Sequence, residues 1–324
     1  MRAAVCQSLS DDLSGLRVTD VPMPDPGVGQ VRIKVAAASV NYPDLLLCQG
    51  KYQLKLEPPF VPGLDFAGTI DALGEGVAGW EIGDAVAGGS RHGTFAEYVV
   101  SDVSNLRGKP GEMSFEAAAA YSAAYLTAYV ALVRRANLQT GETLLVHGAS
   151  GGVGLATVDV GRILGATVIA ASGSADKREK LTAYGADAVL DPAPGFRHQV
   201  KALTDGRGAD VIFDPIGGDV FDESTRCIAF DGRLLVIGFT SGRIATVSSN
   251  IPLIKGFSVM GVRAGEYGRQ FPERGIENQT AIWDWAEQGR TRPVIDSVMP
   301  LEATAEALLK LKNRGVFGKV ILKP

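Results

Sequence analysis

Short apolar runs broken by proline and glycine fill the first third of the chain. Arg2–Cys6, Leu16–Val21 and Val31–Ala38 are β-rich stretches, with Pro22, Pro24, Pro26, Gly27 and Gly29 between them. Val31-Arg32-Ile33-Lys34-Val35 alternates apolar with charged, the period of a half-exposed strand. A polar patch, Ser39-Val40-Asn41-Tyr42-Pro43-Asp44, follows that strand, then Leu45-Leu46-Leu47 and Gln49-Gly50-Lys51-Tyr52. Further strands are predicted at Phe66–Leu73, Asp84–Ala87 and Phe95–Val100, so residues 1–110 read as a β domain. A boundary falls near Pro110-Gly111. Ser114 suits a helix N-cap and Glu116 its first turn, for one helix or two abutting helices over Phe115–Arg135.

After Thr140-Gly141 the rhythm becomes strand, helix, strand. Strands are predicted at Thr143–Val146, Ala166–Ala171, Ala188–Leu190, Val211–Asp214, Arg233–Gly238 and Phe257–Val262. Between them lie helical stretches at Val153–Leu164, Ala175–Tyr184, Gly195–Thr204 and Val220–Ala229. That alternation predicts a parallel sheet covered by helices on both faces, an α/β fold. The chain then returns to a mixed pattern: helices near Glu277–Gln288 and Leu301–Lys312, and a last strand at Gly318–Leu322.

Thr143–Gly154, TLLVHGASGGVG, carries the most chemistry. A buried strand runs into a glycine turn and out into a helix, so free N–H groups and the positive helix end would face an anion. Ser150, Gly151, Gly152 and Val153 are the residues expected to meet a pyrophosphate. Gly151 lets the backbone come close, and Gly154 lets the helix pack on the strand. The second strand ends in Ala171-Ser172-Gly173-Ser174, without the carboxylate that would hold a ribose 2′-hydroxyl, and Lys177 and Arg178 follow. Hydroxyls, a turn and two cations suit a 2′-phosphate, hence NADPH, against the plain alternative of a solvated helix face. Asp176 keeps NADH use open.

Charge and composition remove other classes. The 324-residue chain has a net charge of −4 and no basic face for nucleic acid. Residues 117–133 are apolar but contain Tyr121, Ser122, Tyr125, Thr127 and Tyr129, which favours a buried helix over a membrane span. The N-terminus lacks a charged-then-apolar leader pattern, and Cys6, Cys48 and Cys227 form no disulfide framework. The expected compartment is cytoplasmic. His147 sits at a strand end and reads as packed, and His92 and His198 as solvated.

The stretches SVNYPDLLLCQGKY (39–52), VPGLDFAG (61–68), GTFAEYV (93–99), VIFDPIGG (211–218) and Leu235–Phe239, with Gly151–Gly154 and Gly185-Ala186-Asp187, resemble the medium-chain dehydrogenase/reductase superfamily. Within it they resemble the zinc-free quinone oxidoreductases, the zeta-crystallin-like group. The resemblance implies a GroES-like β domain from both chain ends, 1–112 and 264–324, and an inserted Rossmann domain, 113–263. Where zinc-containing relatives carry a ligating Cys and His, this chain has Asn41 and Gly63-Leu64-Asp65, so no metal is expected. The resemblance places Asn41, Asp44, Tyr52 and Thr127 around the nicotinamide and its ribose. Asn41 would orient cofactor or substrate by its amide, Tyr52 would donate a proton or hydrogen bond, and Asp44 would bond a nearby donor. Asp65 would anchor backbone. Gly238, Phe239 and Val262 would offer backbone groups to the carboxamide, and Lys177 and Arg314 would reach the 2′-phosphate. The implied activity is NADPH-dependent reduction of a small apolar quinone by a homodimer joined at Phe257–Val262. An enone or enoyl-thioester reductase, and a non-catalytic NADPH-binding protein, are the alternatives.

Overall fold

The computed structural model describes every residue from Met1 to Pro324. The chain forms two units, Met1–Ala123 with Pro293–Pro324, and Ala124–Arg292. In the first unit β1 (Arg2–Cys6) pairs antiparallel with β2 (Leu16–Asp20). Then come β3 (Gln30–Ser39), α1 (Tyr42–Cys48), β4 (Asp65–Leu73), β5 (Ala85–Gly89), β6 (Tyr98–Asp102), β7 (Leu106–Gly108) and α2 (Phe115–Ala119). The alternation along β3 does what its period requires: Val31, Ile33 and Val35 are buried, while Lys34 is exposed. Helix α1 was not legible as a helix. Pro43 sits in its first turn, where a missing N–H is harmless, and Leu45 and Leu47 go into the core.

Helix α3 (Ser122–Tyr129) runs into the second unit and continues as a wider π turn over Val130–Arg135, so of the one helix or two abutting helices expected over Phe115–Arg135 the second arrangement is found, α2 followed by α3. The α/β rhythm follows: β8 (Thr143–Val146), α4 (Gly152–Ile163), β9 (Thr167–Ala171), α5 (Ala175–Tyr184), β10 (Ala188–Leu190), α6 (Phe196–Leu203), β11 (Ala209–Asp214), α7 (Gly218–Ser224), β12 (Ile228–Val236), α8 (Asn250–Lys255) and β13 (Ser258–Gly261). The helix predicted over Val220–Ala229 is corrected. It stops at Ser224, and Cys227 N–H bonds back to Ser224 O at 3.1 Å. Ile228 then pairs with Ala209 of β11, so sheet formation overrides local helical preference. The six strands stand in the order β10-β9-β8-β11-β12-β13, all parallel. This is a Rossmann sheet, and its order reverses between β8 and β11, where such sheets bind ligands.

Helices α9 (Ala264–Gln270) and α10 (Pro272–Glu287) complete this unit. The two units therefore divide at 123/124 and 292/293. The cause is packing: Arg134 reaches Asn278 at 2.7 Å and Glu277 at 2.6 Å, and Trp285 lies 5.4 Å from Tyr129, ring to ring. The chain returns to the first unit through β14 (Ile295–Pro300), α11 (Thr304–Lys312) and β15 (Lys319–Lys323). Strand β15 pairs antiparallel with β3 and parallel with β14, joining both chain ends in one seven-stranded sheet. This is the GroES-like domain. No helix is long and apolar enough to cross a membrane.

Candidate active site

The second unit supplies a phosphate-receiving turn. After β8, His147 N–H bonds Phe213 O at 3.0 Å and Ala149 N–H bonds Ala171 O at 3.2 Å, so the turn is stitched to the strands on either side. Gly148 has φ +59, and Gly151 caps α4 in extended conformation. A Cβ on Gly154 would lie 2.3 Å from Gly148 O and 2.7 Å from Ala149 Cα, so only glycine lets the helix start this close to the turn. The first-turn N–H groups of α4 have no carbonyl partner inside the helix and are offered at Gly152–Gly154. Ser150, Gly152 and Val153 are half-buried around them. This arrangement fits a dinucleotide pyrophosphate.

Around it stand the other expected residues of this unit. Ser172 is buried and its N–H bonds Leu190 O at 3.1 Å, while Gly173 and Ser174 are exposed before α5. Lys177 and Arg178 are half-buried in the first turns of α5. Arg178 Nη1 donates to Ser172 O at 2.7 Å and to Asp191 at 3.0 Å. Gly238 and Phe239 follow β12, and Phe239 is 40% exposed. Val262 is buried and its N–H bonds Val236 O at 3.0 Å. Thr127 lies half-buried on α3.

His147 is fully buried and shares a 2.9 Å hydrogen bond with Ser224. Burial lowers its pKa to about 3, so it stays neutral and packed. Asp214 was missed from sequence. It accepts the N–H groups of Ile216 at 2.7 Å and Gly217 at 2.9 Å, and so shapes the turn after β11, beside β8.

The first unit brings Asn41, Asp44 and Asp65 together with a residue that sequence did not single out, Lys319. All four are at least 93% buried, the most exposed being Asn41 at 7%. Asn41 sits at the start of α1, where its N–H donates to Asp44 Oδ2 at 2.7 Å. Asp44 is thus the N3 carboxylate that satisfies the N-terminus of α1. The Asn41 amide is spent internally. Its oxygen accepts Lys319 Nζ at 2.6 Å, and its nitrogen donates to Asp65 Oδ2 at 2.9 Å and Ser39 O at 3.1 Å. An ammonium only donates, so the amide orientation is fixed by chemistry. The dipole of Asn41 lies between a cation and an anion in the favourable sense.

Burial dominates the ionisation of this cluster. It pushes Asp44 up to about 8, raises Asp65 and lowers Lys319, while the attraction between Asp65 and Lys319 opposes the last two shifts. At about 8, Asp44 favours its protonated form at pH 7, and the attraction between Asp65 and Lys319, bridged by Asn41, favours the charged forms of those two. Tyr52 lies in the loop after α1. Its ring packs half-buried against the core, and its N–H bonds Leu46 O at 3.2 Å. Arg314 is exposed just past α11 with φ +58.

Comparison with known proteins decides the family. Residues 27–111 match the alcohol dehydrogenase GroES-like domain, and residues 152–278 match the zinc-binding dehydrogenase family. The chain is 37% identical over 323 residues to quinone oxidoreductase-like protein 2 of Mus musculus, covering 99% of this chain and 91% of that protein. The chain belongs to the medium-chain dehydrogenase/reductase superfamily, in its quinone oxidoreductase-like branch. The quinone oxidoreductase of Lama guanicoe is 33% identical over 307 residues, covering 94% of this chain and 92% of that protein. A mycobacterial protein solved in complex with NADPH superposes with a TM-score of 0.93 at 30% identity over the full length of both chains.

The matched family name implies zinc in this oxidoreductase, and the donor set does not fit it. No three His, Cys, Asp or Glu side chains converge as ligands. At the position of the ligating cysteine stands an amide with every hydrogen committed, and an ammonium bonds its oxygen. A dication there would meet Lys319 as a like charge.

Proposed function

We propose that this oxidoreductase reduces small apolar quinones with NADPH, without a metal. The observation that carries the cofactor is the turn around Gly154, built at the point where the Rossmann strand order reverses, with no carboxylate at the end of β9 and with Lys177 and Arg178 in the first turns of α5. The NADPH complex of the mycobacterial relative supports the same cofactor, and the names of the murine and llama proteins support quinones. Bound NADPH would supply the hydride. The N–H groups of Gly152 and Val153 would hold the pyrophosphate, Lys177 and Arg178 the 2′-phosphate, and the carbonyl and amide groups at Gly238, Phe239 and Val262 the carboxamide. Thr127 would bond the nicotinamide ribose, and Arg314 is a second candidate for the phosphate.

The catalytic assignment divides by what each side chain has left to offer. Asn41 and Asp44 are bonded within the chain and would act by fixing the start of α1. The phenol of Tyr52 is the group that would donate a hydrogen bond or proton to the oxygen that becomes negative. Tyr52→Phe is expected to lower kcat with quinone about 10²-fold while leaving the dissociation constant for NADPH unchanged. Unchanged turnover would remove Tyr52 from the chemistry.

Nicotinamide absorbance, followed with benzoquinone and phenanthrenequinone in one arm and crotonyl-CoA and a simple enone in the other, tests the acceptor. Faster turnover in the first arm supports the quinone assignment. Preference for the second makes the chain an enoyl or enone reductase, and binding without any turnover makes it a non-catalytic NADPH-binding protein.

The same reading makes the chain a homodimer. Strand β13 ends the parallel sheet with an unpaired edge, and Val259 on it is 37% exposed. Nearby in sequence, Leu253 and Ile254 are 81% and 73% exposed, and Phe230 is 82% exposed. Sedimentation is expected to give a species of twice the chain mass, shifting to the monomer in Val259→Lys. A monomeric wild-type protein would refute the dimer.

A further inference from the structure

We propose that Asp191 is a specificity-determining residue, which through its ion pair with Arg178 sets how strongly the site prefers a phosphorylated to an unphosphorylated adenosine ribose. The proposal rests on the dinucleotide reading above. In sequence the second strand of the sheet ends without a carboxylate. In the fold a carboxylate arrives from the neighbouring strand. Asp191 directly follows β10, and the ends of β9 and β10 are tied by the bond from Ser172 N–H to Leu190 O, 3.1 Å.

Arg178 lies across both strand ends. Its Nη1 donates to Ser172 O at 2.7 Å and to Asp191 Oδ2 at 3.0 Å. The other oxygen of Asp191 accepts Ala193 N–H at 3.0 Å, so the carboxylate is held from its own loop as well. Both bonds of Arg178 leave from one terminal nitrogen, which leaves the donors on Nε and Nη2 for an anion. The guanidinium is preorganised at the residue that closes β9, and a negative charge stands against it. The arrangement has two consequences of opposite sign. Asp191 fixes the fork that would receive a 2′-phosphate, and its charge repels that same dianion. With its side chain 41% exposed, the charge acts through partly solvated space. Asp191 thereby lowers selectivity for the phosphate and keeps NADH admissible, which neither Lys177 nor Arg178 would do alone.

Calorimetric titration of NADPH and NADH into the wild type and Asp191→Asn, Arg178→Ala and Lys177→Ala separates these effects. Asparagine keeps an acceptor for Arg178 and removes only the charge. Asp191→Asn is expected to bind NADPH about 5-fold more tightly with NADH unchanged, the size of a single partly screened charge. Arg178→Ala and Lys177→Ala are expected to weaken NADPH well beyond NADH. An NADPH-to-NADH preference that is unchanged or lower in Asp191→Asn overturns the proposal while leaving the dinucleotide reading intact. A wild-type protein that binds neither dinucleotide overturns both.

Discussion

Lys319→Met is expected to destabilise the protein by about 3–5 kcal/mol, the cost of removing one partner from a buried, hydrogen-bonded charge pair. Lys319 is 6% exposed, its ammonium is 2.6 Å from the Asn41 oxygen, and Asp65 holds the other end of the same amide. Methionine fills a similar volume, so the loss measures charge and hydrogen bonding more than packing. The Asp65 carboxylate would be left buried without the cation that attracts it, and Asn41 would lose the bond that fixes its orientation. Urea unfolding is the direct measurement. A midpoint within error of the wild type would show that the cluster is not a charge pair, because a neutral lysine would be lost at little cost.

Asp44 in the same cluster should behave in the opposite way. Its folded pKa is raised from 3.8 to about 8, so the folded state keeps a proton that the unfolded state releases above its own pKa. Its contribution is at its best below the unfolded value and falls as pH rises toward the folded one. Asp65, raised too, has the same sign, whereas Lys319, lowered, adds stability as pH rises above its folded value. Asp44→Asn removes only the first of these. Its unfolding free energy should therefore decline less between pH 5 and pH 7 than that of the wild type, a comparison that stays about one unit inside each end of the window set by the two pKa values.

What could be seen in sequence, and what could not, follows contact distance along the chain. The strand–turn–helix at Thr143–Ile163 is local, and its residues specify it without help from elsewhere. The parallel rhythm was legible for the same reason, since each strand and helix carries its own period. The cluster beneath α1 was not, because Asn41 and Lys319 lie 278 residues apart and meet only where β15 is laid against β3. Lys319 in sequence is one charge at the start of a terminal strand, with nothing to mark it as buried. Asp191 was hidden in the same way: it reads as a loop acid until β10 pairs with β9. The misjudged end of α7 has another origin, a short segment with helical composition that the sheet claims from Ile228 onward.

Two glycines of the phosphate turn are expected to fail differently when given a side chain. Gly154→Ala puts a methyl group 2.3 Å from Gly148 O and 2.7 Å from Ala149 Cα, both backbone atoms of the turn that α4 packs upon. Neither can swing aside as a side chain would, so helix and turn must separate, at about 1–3 kcal/mol for overpacking of this kind. Dinucleotide affinity should fall with it by about 10-fold or more, since the N–H groups of the first turn move away from the strand ends. Gly151→Ala meets no such obstacle. Gly151 has φ −81, and its new Cβ would find only Gly148 O at 3.5 Å, an ordinary contact. That methyl group stands where a pyrophosphate approaches, so binding should weaken while the thermal midpoint stays at the wild-type value. Thermal unfolding and NADPH titration on the two variants together read both effects. If Gly151→Ala binds NADPH as the wild type does, the phosphates do not pass over this turn, and the cofactor assignment built on it fails. If only Gly151→Ala loses binding and Gly154→Ala loses both binding and stability, one glycine is there for the ligand and the other for the fold.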